Sequence, residues 1–444
     1  MEVVAVPIHG ATAMEIADSV RDLIAAGELR AADPLPPVRG LATDLGVNRN
    51  TVAAAYRQLV VAGVAETHGR GGTMVARTPQ LAREGSGLGG GLTDLASGNP
   101  DPLLLPDLLA AAGRGGYRPP LYGAPALDPG LVEWATARYA DDLPDRPFRV
   151  LVTHGAADAT ERLLHAYLTR GDAVAVEDPC FLGSIGTLRL NGYRTAPVAV
   201  DHAGMRPEAL RAALESGARA VVCTPRAHNP TGTSLTVGRA AELRAVLAGH
   251  PGVLVIEDDH FSAVSAMPYH RVTPVGTGTW ALVRSVSKFL GPDLRLALVA
   301  ADGETARRLE TRLSAGSMWV SLLLQHTARE LLTDPDVRAL HDRARRAYAE
   351  RGALLVRELA AHGIGVPAAY RPDGLNVWVD LDQRARPVVD ALARRGWAVR
   401  PGDLFAAGPS DRQALRVTTA TLTEPLARRF AADLAAVLDH PHAE

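Results

Sequence analysis

Residues 280–295 read Trp280-Ala-Leu-Val-Arg-Ser285-Val-Ser287-Lys288-Phe-Leu-Gly-Pro-Asp-Leu-Arg295. An apolar run of strand length, Trp280 to Val283, leads into two serines and a lysine, with an arginine seven residues further on. Lys288 is the only lysine among 47 basic residues, the rest being arginine. A composition so drifted to arginine keeps a lysine most readily for chemistry that a guanidinium cannot do. An amine can lose its proton and attack a carbonyl carbon to form a Schiff base, whereas arginine stays protonated. The plainer alternative is one surface lysine retained by chance, and the neighbouring residues decide between the two.

Outward from this stretch, short β-rich runs alternate with helical segments: Arg149–Thr153, Ala173–Val176, Ala218–Cys223, Val253–Ile256, Leu282–Val286 and Leu296–Ala300. That rhythm predicts an α/β fold, a largely parallel sheet covered by helices on both faces. Ligands of such sheets collect beyond the carboxyl ends of the strands. Asn229-Pro-Thr-Gly232 follows the strand ending at Cys223, Asp258 lies just past Val253–Ile256, and Lys288 lies just past Leu282–Val286. A pyridoxal 5'-phosphate site needs those residue types: a lysine for the aldimine, a carboxylate to keep the pyridine nitrogen protonated, and a donor near the phenolic oxygen. Ser285, Ser287 and Arg295, with the backbone N–H groups of Gly155-Ala156-Ala157, could form the phosphate cup. Each residue also has an ordinary alternative. Asn-Pro-Thr-Gly is a common turn, Asp258 could be a helix cap, Arg295 a surface cation, and Phe181 a core residue.

The remaining composition sets bounds. A chain of 444 residues predicts two or three domains, and a formal charge of −2 gives no global sign of nucleic-acid or membrane affinity. Two cysteines, Cys180 and Cys223, make neither a disulfide framework nor a metal cluster and suit a reducing cytoplasm. The first twenty residues lack Lys and Arg, which argues against a secretory signal, and charges interrupt every later apolar run. Residues 78–92 read TPQLAREGSGLGGGL, a composition that suits a flexible linker. The expected division is 1–78, a linker over 79–92, and 93–444.

The smaller part carries its own pattern. Ile16, Val20 and Leu23 predict one helix, and Pro36-Pro37 opens a second, stopped by Gly46. Asn48 is placed to cap a third helix with Val52, Tyr56 and Leu59 on its buried face. Two short runs around His68-Gly-Arg70-Gly71-Gly72 predict a β-hairpin wing. This is a winged helix-turn-helix arrangement. Asn48, Arg49, Asn50 and Thr51 crowd the end of the third helix that would enter a major groove, where Arg and Asn can read base edges. Arg39 and Arg70 suit phosphates. The alternative is a small helical domain with a solvated arginine face. From Arg39 to Arg77 five arginines face two acids, Asp44 and Glu66, so this segment alone is basic.

The stretches Leu35-Pro-Pro-Val-Arg39-Gly-Leu-Ala, Leu45-Gly-Val-Asn-Arg49-Asn-Thr51-Val and Arg70-Gly-Gly-Thr73 closely resemble the winged-helix domain of GntR-type bacterial repressors. That resemblance implies DNA contacts at Arg39, Arg49 and the wing residues Arg70, Gly71 and Thr73. In the larger part, Gly155-Ala-Ala-Asp-Ala, Glu177-Asp-Pro-Cys-Phe181, Pro225-Arg-Ala-His-Asn229-Pro-Thr-Gly, Glu257-Asp-Asp-His260 and Ser285-Val-Ser-Lys288 with Arg295 resemble class I/II aminotransferases of fold type I. It implies that Phe181 stacks on the pyridine ring and that Asn229 contacts the phenolic oxygen. It further implies that Tyr122 reaches the phosphate of a partner subunit and that Arg416 grips a substrate's or effector's α-carboxylate. Two positions depart from the pattern. His260 stands where a tyrosine is usual, which would make the tuning sensitive to pH near neutrality, and Ala157 stands where a polar residue is often found.

Together the two halves resemble the MocR (GabR-like) family of bacterial regulators. The resemblance implies a cytoplasmic, head-to-tail homodimer that binds a double-stranded DNA operator and senses pyridoxal phosphate, an amino acid or amine, or both, through an aldimine at Lys288. The alternatives are a working pyridoxal phosphate-dependent aminotransferase, or a DNA-binding protein that uses a degenerate enzyme fold only to dimerise. No metal and no membrane partner is expected.

Overall fold

The computed structural model describes residues 8–62, 64–67, 72–76, 84, 91–367, 369–408 and 412–439. The chain divides into two compact units, a smaller one of residues 1–81 with 189–193 and a larger one of residues 82–188 and 194–444.

In the smaller unit the first helix, Ala13–Ala25, starts at a capping box. Thr12 accepts from the Glu15 N–H at 3.2 Å while the Glu15 carboxylate accepts from the N–H groups of Ala11 and Thr12. Its apolar face buries Ile16, Val20 and Leu23. The second helix, Val38–Asp44, follows Pro36-Pro37, and the third, Arg49–Val61, is capped by Asn48, whose side chain accepts from the Asn50 N–H at 2.8 Å. Val52, Tyr56 and Leu59 are buried, as their spacing predicts. The Tyr56 hydroxyl donates to the Pro36 carbonyl at 2.8 Å, which fixes the third helix against the start of the second. Strands Ala65–Thr67 and Thr73–Val75 pair antiparallel, Ala65 opposite Val75, as the base of a wing. Arg70 and Gly71, at its expected tip, lie outside the described residues.

The larger unit is built on an eight-stranded sheet. In spatial order its strands are Arg149–Thr153, Ala297–Ala301, Trp280–Ser285, Leu254–Asp258, Ala218–Cys223, Ala173–Asp178, Arg194–Asp201 and Gly204–Met205. The five strands from Trp280–Ser285 to Arg194–Asp201 run parallel. Ala297–Ala301 instead runs antiparallel to both of its neighbours. The chain returns from Ser285 through 286–296, which holds a short 3-10 turn, Pro292–Leu294, and no crossover helix; a parallel return needs a longer connection. A second, three-stranded antiparallel sheet has the order Asn376–Asp380, Ala414–Thr418, Arg400–Pro401. The helices Ala385–Arg394 and Glu424–Asp439 share its core with Trp397, Val417 and Phe430. A backbone bond from the Thr418 N–H to the Leu95 carbonyl at 2.8 Å brings the segment that contains Gly98 alongside Arg416. Among the described residues no helix is long and apolar enough to cross a membrane.

Candidate functional site

The carboxyl ends of the parallel strands open onto a cavity of about 300 Å³. Strand Trp280–Ser285 delivers Ser285, Ser287 and Lys288 to it; strand Leu254–Asp258 delivers Asp258 and His260; the loop after Ala218–Cys223 delivers Asn229; and Phe181 follows Ala173–Asp178. Ala156 and Ala157 line it from the first turn of the helix Ala156–Tyr167, whose Gly155 N-cap makes no side-chain hydrogen bond. Free N–H groups at such a helix start favour an anion. Arg295 lies beside them. A Cβ on Gly155 would stand 2.9 Å from the Arg295 guanidinium and force it to shift, and the φ of +96° is one that glycine adopts without strain. Gly183 likewise leaves room for Phe181, because a Cβ there would come within 2.4 Å of the ring.

The half-buried Lys288 Nζ donates to the Gly98 carbonyl at 2.9 Å. Desolvation lowers its pKa to about 8, with the Arg416 and Arg295 charges acting the same way and the Glu84 carboxylate opposing them. Asp258 has one buried carboxylate oxygen without a hydrogen-bond partner, and burial, reinforced by the Asp259 charge, raises its pKa to about 7. Asp259, one residue on, is tied instead to Arg226 and Arg284. His260 is pushed down to about 4, by desolvation first and then by the Lys288 charge. It therefore stays neutral near pH 7, which corrects the sequence expectation that an imidazole here would titrate near neutrality; burial decides the matter.

Sequence reading missed one participant. Glu84 lines the cavity, and its carboxylate pairs with Arg416 at 2.5 Å and accepts from the Asn229 amide at 3.2 Å. Arg416 is 0 % exposed and also donates to Asn229 at 3.1 Å and to the Ala96 carbonyl. The only signal for Glu84 was that it is the single acid in a Gly/Ser-rich segment. Tyr122 is not brought to this cavity; it is 83 % exposed and lies edge-on to Trp319.

The residues present fit pyridoxal phosphate. The orphaned Asp258 oxygen suits a protonated ring nitrogen, the Lys288 amine suits an aldehyde, the Phe181 ring offers a stacking face, and the helix start with Ser285, Ser287 and Arg295 suits a phosphate. In the smaller unit, Arg39, Asn48, Arg49 and Asn50 are exposed and Thr51 and Thr73 half-buried, with Asn48 to Thr51 gathered at the start of the third helix.

Residues 91–434 match the family described as aminotransferase class I and II, and residues 12–75 match the bacterial regulatory proteins of the gntR family. The chain is 49% identical to the vitamin B6 salvage pathway transcriptional repressor PtsJ of Salmonella typhimurium, across 96% of this chain and 98% of that one. It is 27% identical to the pyridoxine biosynthesis transcriptional regulator PdxR of Corynebacterium glutamicum, across 92% and 95%. Among solved structures, the α-aminoadipate aminotransferase LysN of Thermus thermophilus, crystallised with N-(5'-phosphopyridoxyl)-L-leucine, is similar with a TM-score of 0.68 and 25% identity, across 79% of this chain and 92% of that one. Family and site chemistry together imply pyridoxal phosphate as the cofactor.

Proposed function

Since the chain belongs to the MocR (GabR-like) regulators of the GntR family, in which a winged helix is fused to an aminotransferase class I and II domain, we propose that it regulates transcription in response to pyridoxal 5'-phosphate held at Lys288. The observation that carries this reading is the cavity itself: the only lysine of the chain and a carboxylate with one buried oxygen lacking a hydrogen-bond partner face the same space. The likeness to a vitamin B6 salvage repressor points to genes of vitamin B6 supply as the regulated set.

Bound there, pyridoxal phosphate supplies an aldehyde carbon and a ring that withdraws electrons when its nitrogen is protonated. With its pKa lowered to about 8, Lys288 keeps a nucleophilic fraction near neutrality. Asp258 would hold a proton on the ring nitrogen, and Asn229 and neutral His260 would serve the phenolic oxygen. The N–H groups of Ala156 and Ala157, beside Gly155, would hold the phosphate with Ser285, Ser287 and Arg295, and Phe181 would cover one ring face. Arg416 is the carboxylate-binding group, and Tyr122 completes the phosphate site of a second chain in a head-to-tail homodimer. Residues 1–78 form the DNA-binding domain, 79–92 the linker and 93–444 the sensing domain of a cytoplasmic protein. Arg39, Asn48, Arg49, Asn50, Thr51, Arg70, Gly71 and Thr73 contact double-stranded DNA, the third helix lying in the major groove. The effector is pyridoxal phosphate, with or without an amine. It regulates only by binding one arrangement of the dimer better than another.

The test is DNA affinity, measured by fluorescence anisotropy on the protein's own upstream region, with and without pyridoxal phosphate. Wild-type affinity should change about fivefold or more, and Lys288→Ala should bind the same DNA with no response. A wild-type protein whose DNA affinity ignores the cofactor would overturn the proposal.

A further inference from the structure

A wholly buried guanidinium is costly unless an anion faces it. The anion facing Arg416 comes from a residue 332 positions away, Glu84, at 2.5 Å. The same Glu84 oxygen accepts from Asn229, and Asn229 in turn accepts from Arg416, so three side chains close a ring of charge-assisted hydrogen bonds. The second Glu84 oxygen is buried and has no hydrogen-bond partner among the described residues. The fit is close: a Cβ on Gly98, the residue whose carbonyl accepts from Lys288, would stand 2.8 Å from that oxygen and 3.4 Å from both terminal nitrogens of Arg416. Glycine at 98, whose φ of +67° suits it, leaves the carboxylate its place beside the lysine without a shift.

Resting on the reading that Lys288 holds pyridoxal phosphate, we propose that Glu84 is a specificity-determining residue: its carboxylate fills the place at Arg416 and Asn229 that an amino acid's carboxylate would take. The cavity therefore accepts the aldehyde phosphate and primary amines without a carboxylate, and it turns away α-amino acids. An incoming carboxylate must displace one tethered to the same chain, whose effective concentration is on the order of millimolar. It must also enter beside a like charge.

The test uses the cofactor-loaded full chain as wild type, Glu84→Ala and Glu84→Gln, with L-alanine and methylamine as probes. Either amine can replace Nζ at the cofactor's imine carbon. The C=N bond to Nζ breaks as the bond to the amine forms, the amine's two hydrogens end on Nζ, and nothing is oxidised or reduced. Borohydride then fixes the cofactor wherever it stands, and the mass of the chain reports whether Lys288 still carries it. Methylamine should strip wild type and variants at equal concentrations. L-Alanine should need at least about tenfold more with wild type than with Glu84→Ala, and acetate should restore the resistance in that variant. Glu84→Gln, which keeps the shape and loses the charge, should fall between and stands in if Glu84→Ala does not fold. Equal sensitivity of all three proteins to L-alanine overturns the proposal and leaves the cofactor reading intact. Failure of borohydride to fix any cofactor on wild-type Lys288 overturns the cofactor reading itself.

Discussion

At the scale of single residues, Asp258 holds an energetic imbalance inside the site itself. Its folded pKa of about 7 lies above the 3.8 of an ordinary aspartate because burial and Asp259 penalise the ionised form. A raised carboxyl pKa means the folded state loses stability as pH rises from the unfolded value toward the folded one. The cofactor-free protein should therefore lose about 2–4 kcal/mol between pH 4 and pH 7 through this group, and Asp258→Asn should not. Thermal unfolding of the two proteins at pH 5 and pH 8 reads the difference. Adding pyridoxal phosphate at pH 8 should stabilise wild type well beyond the asparagine variant, because a ring N–H then meets the orphaned oxygen. An asparagine variant no more stable than wild type at pH 8 without cofactor would show that the buried charge is relieved some other way. Most of the residues of this site were legible in the sequence because they sit at strand ends in a fixed order. Glu84 was not, since its partner Arg416 is brought near by tertiary folding alone, and a lone acid in a glycine-rich run looks like solvated surface. Nor could sequence say that His260 is dry enough to stay neutral.

Among elements, the helix caps offer a clean separation of stability from recognition. Thr12 and Asn48 each satisfy an N–H at the start of a 13-residue helix, and replacing either by alanine should cost the smaller unit about 1 kcal/mol. Only Asn48 stands where DNA contact is proposed. Asn48→Ala should thus weaken operator binding by more than Thr12→Ala at matched stability, as judged by denaturant unfolding beside anisotropy. Equal losses of DNA affinity from both caps would reduce Asn48 to a structural role. Local signals of this kind, the Asn48 cap and 3.6-residue periodicity, made the three helices and the start of the third legible, whereas the Thr12 cap that starts the first was not read. Strand direction was less so. The run Leu296 to Ala300 is apolar throughout and says nothing of which way it points; the short return through Pro292 decides that. Strand Arg194–Asp201 escaped because Pro197 interrupts it and its exposed positions dilute the apolar pattern.

For the whole molecule, the exposed Tyr122 and its equally exposed neighbour Leu121 mark a segment that the single chain leaves uncovered. If the partner's Tyr122 completes each phosphate site, Tyr122→Phe and Lys288→Ala chains should each bind cofactor poorly alone. Mixed in equal amounts by unfolding and refolding, they should form mixed dimers as about half of all dimers, each with one tight site, so that titration of the cofactor's absorbance counts about one tight site per four chains. Binding no better than the average of the parents would place Tyr122 outside the site of either chain. The solitary lysine also has a consequence for handling the protein. A lysine-specific protease acting on the denatured chain has one bond to cut, after Lys288, and would leave the fragments 1–288 and 289–444. A lysine bearing the reduced cofactor resists that cut, so the share of uncut chain on a gel reads out how many molecules in a cell extract carried vitamin B6.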